Sequence, residues 1–244
     1  IRTGAFIGER TRIGTHVEIS PNVKIAKDNQ IFKGVYLGAP PQDISYERGD
    51  DKSCLLEIGS SNVFREYVTV HHGSKRATLI GHSNYFMAYS HIAHDCVVGD
   101  HITLANYAGL AGWVEVADHV FISGHSLVHQ YVRIGKLAMI GGLCRVNQDV
   151  PPFALVSQKN GQLYGYNRVG LKRSGWSDEQ INVLKKVYVL LFRNGLSLES
   201  IQGKLEEFIV SPEHELILNE LITLSQFFKG TKRGFLSHWE KYKD

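Results

Sequence analysis

The chain has 244 residues, 43% of them hydrophobic and 21% charged, with a formal net charge of +3. That length holds one large domain or two modest ones with a full core. The near-balanced charge, without a long Lys/Arg run, argues against a nucleic-acid-binding arm, although it suits an anionic substrate or an acidic partner. No apolar stretch reaches the 18 residues of a membrane span, and no signal peptide is visible. The chain begins at Ile1, without Met and already inside a repeat rhythm, so an N-terminal piece is expected to precede it. Cys54, Cys96 and Cys144 are an odd, unpatterned set, which favours a reducing cytoplasm over a disulfide framework.

From the N-terminus an aliphatic residue recurs at every sixth position: Ile7, Ile13, Ile19, Ile25, Ile31, Leu37. The step resumes without a miss from Ile80 through Phe86, Ile92, Val98, Leu104, Leu110, Val116, Ile122, Val128, Ile134 and Ile140 to Val146. This period predicts a parallel β-helix in which each hexapeptide forms one flat wall of a coil. Position two is often glycine, as at Gly8, Gly81 and Gly135, which suits a corner needing a left-handed backbone or a close approach. Position five is small or β-branched, as at Val17, Cys96, Ala108 and Cys144. Positions one and five therefore face the interior, and three, four and six face outward. Cys96 and Cys144 accordingly read as small core residues.

Two breaks interrupt the rhythm. Leu37 to Ile58 is 21 residues, three more than a whole turn, and predicts an insertion at about 39–57. Val70 to Ile80 is ten residues and predicts a second at about 73–79, beginning after His71-His72. Loops extruded from a rigid coil commonly carry binding groups. At His71 and His72, loop decoration and substrate contact both stay open.

The β-helix is expected over residues 1–152, followed by a linker at 153–176 and a helical domain at 177–244. Ser177-Asp178-Glu179 is a helix start, Val183, Val187, Leu190 and Leu191 form its stripe, and Asn194-Gly195 ends it. Ser197 opens a second helix through Ile201, Leu205 and Phe208, and a third is expected over roughly 212–229.

The densest polar set is His91-Ile92-Ala93-His94-Asp95. With Ile92 and Cys96 inside, His91 and His94 point outward. His94 beside Asp95 has the makings of a general base and its orienting acid. His129-Gln130 falls two turns further on at nearly the same angular position. A zinc site on His91, His94 and His129 would need all three at one point, and the spacing alone gives no such convergence. His16, His82, His101 and His119 occupy scattered outward positions and read as solvated. No GxGxxG opens a helix, so the glycines are corners rather than a dinucleotide loop.

HIAHD (His91–Asp95), LAG (Leu110–Gly112), VHQ (Val128–Gln130), QDVPP (Gln148–Pro152) and GLKRSG (Gly170–Gly175) occur in order. Their order and spacing resemble the UDP-N-acetylglucosamine O-acyltransferases of lipid A biosynthesis over nearly the whole chain. The resemblance implies a mainly β fold: a left-handed parallel β-helix followed by a small C-terminal α-helical domain. The left hand comes from the resemblance, because the usual crossover preference is for the opposite one. It also implies a cytoplasmic homotrimer with active sites between subunits. The reaction implied moves a 3-hydroxyacyl chain from acyl carrier protein to the sugar 3-position. No cofactor is required, since the acyl group arrives as a phosphopantetheine thioester.

Carried over by motif, His94 would be the base, Asp95 its orienting partner and the Gly112 N–H an oxyanion donor. Asp43, His91, His129, Gln130, Asn167 and Arg173 would contact the UDP-sugar. Gly142 and Trp113 would lie along the acyl chain, with Gly142 limiting its length. The chain departs from the family pattern at four positions: Trp113 replaces a histidine, Ser45 a lysine, Val169 a glutamate and Ser174 an arginine. These departures keep open the same chemistry on a UDP-3-amino sugar, acylated on nitrogen. A β-helix metallo-lyase of γ-carbonic-anhydrase type and a non-catalytic trimeric scaffold are the other readings.

Overall fold

In the computed structural model, described for residues 1–46, 55–157, 159–193, 195–231, 234–237 and 239, the six-residue step closes into three parallel sheets. The first wall runs from Phe6–Ile7 to Arg133–Ile134, the second from Arg12–Ile13 to Met139–Ile140, and the third from Glu18–Ile19 to Arg145–Val146. Ile80 pairs with Val98 and Val98 with Val116, so one turn takes 18 residues. Positions one and five fill the interior: Ile92, Cys96, Leu104, Ala108, Leu110 and Val114 are all fully buried. Removing each larger aliphatic from water contributes roughly 1.5–3 kcal/mol. Cys144 is also buried, and burial pushes the Cys96 thiol up to about 12. Cys54 lies outside the described residues.

Several interior positions are polar, three of them in one column. Asn29, Asn62 and Asn84 stack on one corner, and each side-chain oxygen accepts the backbone N–H one turn above: Asn62, Asn84 and Ile102, at 2.9, 2.9 and 2.7 Å. The side-chain amides donate to wall carbonyls, so each buried polar group is matched.

Most left-handed corner residues are not glycines, Gly34 and Gly38 being exceptions at φ 73° and 84°. Position four carries them on every corner: Tyr67, Tyr89, Tyr107 and His125 on one edge, Ser83, His101, His119 and Leu137 on the second, Asp95, Trp113 and Tyr131 on the third. Their φ values lie between 56° and 66°. Glycine at position two serves close approach instead: a Cβ on Gly8 would lie 2.6 Å from the carbonyl carbon of Ala26. Left-handed backbone costs a non-glycine residue roughly 1–2 kcal/mol. Stacking along the corner offsets part of this. Tyr67, Tyr89, Tyr107 and His125 form a column with successive ring centroids 5.2, 5.0 and 4.7 Å apart.

The first insertion is larger than the spacing suggests. Ile25 pairs directly with Ile58, so the segment after Ala39 replaces a single corner step rather than adding three residues to a full turn. The stretch read as a linker is also structured. Ala154–Ser157 extends the second wall in parallel, pairing with Met139 and Ile140, and Gln162–Tyr166 returns antiparallel to it.

Helix α1 (Arg168–Arg173) follows, then α2 (Asp178–Phe192), α3 (Leu198–Val210) and α4 (Leu218–Lys229). A reciprocal Ser177–Gln180 capping box starts α2. The third expected helix is divided: Pro212–Ile217 is 3₁₀ and only Leu218 onward is α. Asn194, read as part of the stop of α2, lies outside the described residues. Arg133 joins the helices to the coil, donating to the Phe227 carbonyl at 3.0 Å with its guanidinium over that ring. The Tyr188 hydroxyl donates to the Pro152 carbonyl.

Candidate active site

His94 stands where the third wall turns toward the first. Its Nδ1 lies 2.6 Å from Asp95 Oδ2, with side-chain exposures of 13% and 0%. Asp95 thus departs from the outward direction that the hexapeptide assigns to position four. It occupies the left-handed corner, and its carboxylate turns under the second insertion. There it accepts the backbone N–H groups of Ser74, Lys75 and Arg76 at 3.1, 2.9 and 2.7 Å and the Ser74 hydroxyl at 2.6 Å. The Asp95 N–H donates to Thr78 Oγ1. The second insertion is therefore a cradle of backbone donors closed around one carboxylate.

Burial alone would push the Asp95 carboxyl up. The hydrogen bonds from His94, Ser74, Arg76 and Lys75 outweigh it and hold Asp95 well below the usual carboxylate range. An ionised carboxylate only accepts. The proton shared with His94 must therefore sit on Nδ1, which leaves the Nε2 lone pair available to take another.

Gly112 lies one turn above His94. A Cβ there would meet the imidazole Cε1 and Nε2 at 2.7 Å, so the bare backbone is what lets the ring occupy its place. The Gly112 N–H has no acceptor among the described residues. A basic nitrogen and an uncommitted N–H thus adjoin one another on the coil edge.

Around them the walls bring further histidines together. His91 Nδ1 bonds Thr69 Oγ1 at 2.8 Å, and its ring meets His71 edge-on at 4.7 Å. His71 and His72 are buried rather than loop decoration. Burial, with the neighbouring His91, His94 and His72, pushes His71 down to about 3. Burial and His94 also lower His91. Asp43, at the exposed root of the first insertion, accepts from the Ser45 N–H and hydroxyl at 2.9 and 2.8 Å. Those bonds hold it below its usual value, with a smaller contribution from His94. His129 and Gln130 stand exposed two turns above the dyad on the same wall.

Asn167, Arg173 and Gly142 lie on other faces. Asn167 caps α1, accepting the Gly170 N–H and donating to the Leu137 carbonyl, both at 2.9 Å. With Arg173 it lines a cavity of about 480 Å³ over the second wall, whose rim includes the stacked pair His101–His119. Gly142 belongs to the edge between the second and third walls. A side chain there would make only ordinary contacts, 3.5 Å from the Gly124 carbonyl oxygen, and would project off the wall. Trp113 stacks between Arg76 and Tyr131. Among the described residues no three metal-binding side chains are grouped to hold an ion, so His91, His94 and His129 do not form the zinc site considered from the sequence. Ser74 and Arg76 were not singled out by sequence reasoning. The only signal for them was the ten-residue spacing one turn below Asp95.

A parallel β-solenoid of hexapeptide repeats followed by helices is the architecture of the hexapeptide-repeat acyltransferases, and the relatives of the chain place it in that class. Residues 149–236 match the family described as Udp N-acetylglucosamine O-acyltransferase, Domain 2. An acyl-[acyl-carrier-protein]–UDP-N-acetylglucosamine O-acyltransferase of Thermodesulfovibrio yellowstonii is 46% identical over 93% of this chain and 86% of its own length. The enzyme of the same name from Halorhodospira halophila is 43% identical over 97% of this chain and 98% of its own. The crystal structure of the Francisella novicida UDP-N-acetylglucosamine acyltransferase superposes with a TM-score of 0.87 at 35% identity, covering 95% of this chain and 83% of that one. The chain belongs to the acyl-[acyl-carrier-protein]–UDP-N-acetylglucosamine O-acyltransferase family.

Proposed function

We propose that the protein transfers a 3-hydroxyacyl chain from acyl carrier protein to the 3-hydroxyl of UDP-N-acetylglucosamine, the first step of lipid A biosynthesis. The observation that carries this reading is His94: its Nδ1 proton is committed to Asp95, and its Nε2 adjoins the Gly112 N–H. His94 Nε2 takes the hydroxyl proton as the sugar oxygen attacks the thioester carbonyl carbon. The Gly112 N–H donates to the oxyanion that develops. When the tetrahedral centre collapses, the C–S bond breaks and the phosphopantetheine thiolate leaves. It recovers the proton from the imidazolium, which gives the ester and a free thiol.

Because the carrier brings its own prosthetic arm, the protein needs no resident cofactor. Arg173, on a face other than that of His94 and held there by α1, which Asn167 caps, is suited to meet the UDP-sugar from a neighbouring subunit, which supports a homotrimer with shared sites. Arg173 offers a planar donor fork for a phosphate or the uracil. Among the described residues no helix is long and apolar enough to cross a membrane, in keeping with a cytoplasmic enzyme that meets both substrates there.

The test is mass spectrometry of the products formed from a panel of acyl carrier proteins with UDP-N-acetylglucosamine and with its 3-amino analogue. An ester of the first acceptor is expected. An amide formed only with the second would move the reading to N-acylation, and no product with either would remove it.

A further inference from the structure

Asp95 owes its position to the segment 73–76, so the dyad is only as well placed as that segment is anchored. Arg76 provides the anchor. Besides its backbone bond to Asp95 Oδ1, its Nε donates to the Asp95 carbonyl at 2.8 Å. Its Nη1 reaches Glu115 Oε1, one turn above Asp95, at 3.1 Å, and Glu115 in turn lies 3.7 Å from Arg133 Nε. The guanidinium carbon sits 4.9 Å from the centre of the Trp113 ring. Trp113 follows Asp95 on the same corner column, with Tyr131 stacked beyond it at 5.9 Å. Arg76 Nη2 is buried without a hydrogen-bond acceptor among the described residues. The indole face is the neighbour that compensates for its desolvation, as a ring quadrupole does for a cation.

We propose that Arg76 and Trp113 form a clamp that positions the His94–Asp95 pair, so that Trp113 sets turnover rather than contacting the acyl chain. The proposal rests on His94 as the base. Both are positioning residues, since they act through the cradle at 74–76. Two features support this. Trp113 is engaged along its column by Arg76 and Tyr131, and so is committed to the protein. Arg76 reaches from the cradle past Asp95 to Glu115 two turns above, so loss of its ring partner frees the side chain that holds the cradle down. A planar π face is needed there, and an aliphatic residue of similar bulk does not supply it.

The test uses the full chain with acyl carrier protein and UDP-sugar substrates. Trp113→Leu is expected to lower kcat on the order of tenfold while KM for the nucleotide sugar stays within about twofold, the pattern of a misplaced catalytic group. Amides of residues 74–76 should exchange faster with deuterium. Trp113→Phe, which keeps a ring, should restore most of both. Arg76→Lys offers a second route that leaves Trp113 intact, and it should show the same kcat loss and faster exchange because the Nε bond and the planar stack are gone. Wild-type kcat and exchange in Trp113→Leu, or in Arg76→Lys should the first variant fail to fold, overturns the clamp. So does an altered acyl-length preference in Trp113→Leu with kcat preserved, which would make Trp113 a substrate contact. Full activity in His94→Ala would instead overturn the reading of the base, and the exchange rates at 74–76 would still decide the clamp.

Discussion

Ser74 and Asp95, 21 residues apart, are joined twice over: the Ser74 N–H straddles both carboxylate oxygens at 3.1 Å, and its hydroxyl donates to Oδ2 at 2.6 Å. Hydrogen bonds to a charged group contribute roughly 1.5–3 kcal/mol each, so Ser74→Ala should destabilise the fold by an amount in that range at neutral pH. The sign with pH follows from the direction of the shift. Asp95 is held below its unfolded value of about 3.9, so its contribution is present above about pH 4 and is lost as pH falls through the folded value. Urea unfolding should show wild-type stability falling below about pH 4, while the gap between wild type and Ser74→Ala persists at about pH 3 and closes only in stronger acid, as the folded carboxyl is protonated. No gap at pH 7 would detach the serine from the carboxylate.

His94→Ala should leave the solenoid folded, because the ring lies on the edge of the coil and outside its core. Transfer should fall on the order of 10²–10⁴-fold, as expected when a general base is removed. Gly112→Ala should be nearly as damaging by a different route. Its Cβ would fall 2.7 Å from two atoms of the imidazole, displacing the ring from the Asp95 bond and blocking the N–H beside it. Steady-state kinetics with circular dichroism separates these losses from unfolding.

His71 supplies an acid-sensitive term of opposite origin. Buried and pushed down to about 3, it stays neutral in the folded chain, whereas the unfolded chain takes up a proton below about pH 6.5. Stability should therefore fall as pH drops through that window, by up to about 1.4 kcal/mol per pH unit from this one group. His71→Leu should flatten the slope of unfolding free energy against pH between 6 and 4 by that amount. An unchanged slope would mean that His71 titrates normally.

Gly142→Met should shift the preferred acyl chain to shorter lengths, because the new side chain would project off the wall into the space beside Gly124. Competition between carrier proteins loaded with different chain lengths measures this directly. An unchanged preference would place the end of the acyl chain elsewhere.

Much of the architecture was legible because one number governed it. The six-residue step assigned Cys96 and Cys144 to the core, His94 to the outside and His129-Gln130 to nearly the same angular position as His94. The failures fall where something non-periodic overrides the step. Asp95 sits at a position that faces outward by count, yet four extra residues one turn below fold over it and bury it. His71 and His72 are buried beside the first insertion, where Ala39 pairs with His71 and the Tyr46 ring meets His72 edge-on. The strand Ala154–Ser157 was hidden because Pro151-Pro152 breaks the spacing while the chain nonetheless rejoins the second wall. Of the two roles open to the position-two glycines, close approach is the common one; the left-handed corners at position four gave no signal because residues as different as Arg, His, Asn, Asp, Ser, Leu, Tyr and Trp occupy them. Of the site residues, those on the third wall could be grouped from register alone. How Asn167 and Arg173 relate to them depends on a face that no count along one chain reveals.

The corner columns have a consequence for how such a protein can change. Position four has its backbone set by the turn, and its side chain leans on the residues 18 before and after it, so the walls take no part in choosing it. The edges can therefore drift separately. One can become a stack of tyrosines and another a pair of histidines, while the third sets an acid beside the His94 ring and an indole above it. A new ligand or neighbour would ask for a rewritten column, and the coil beneath would not register the edit.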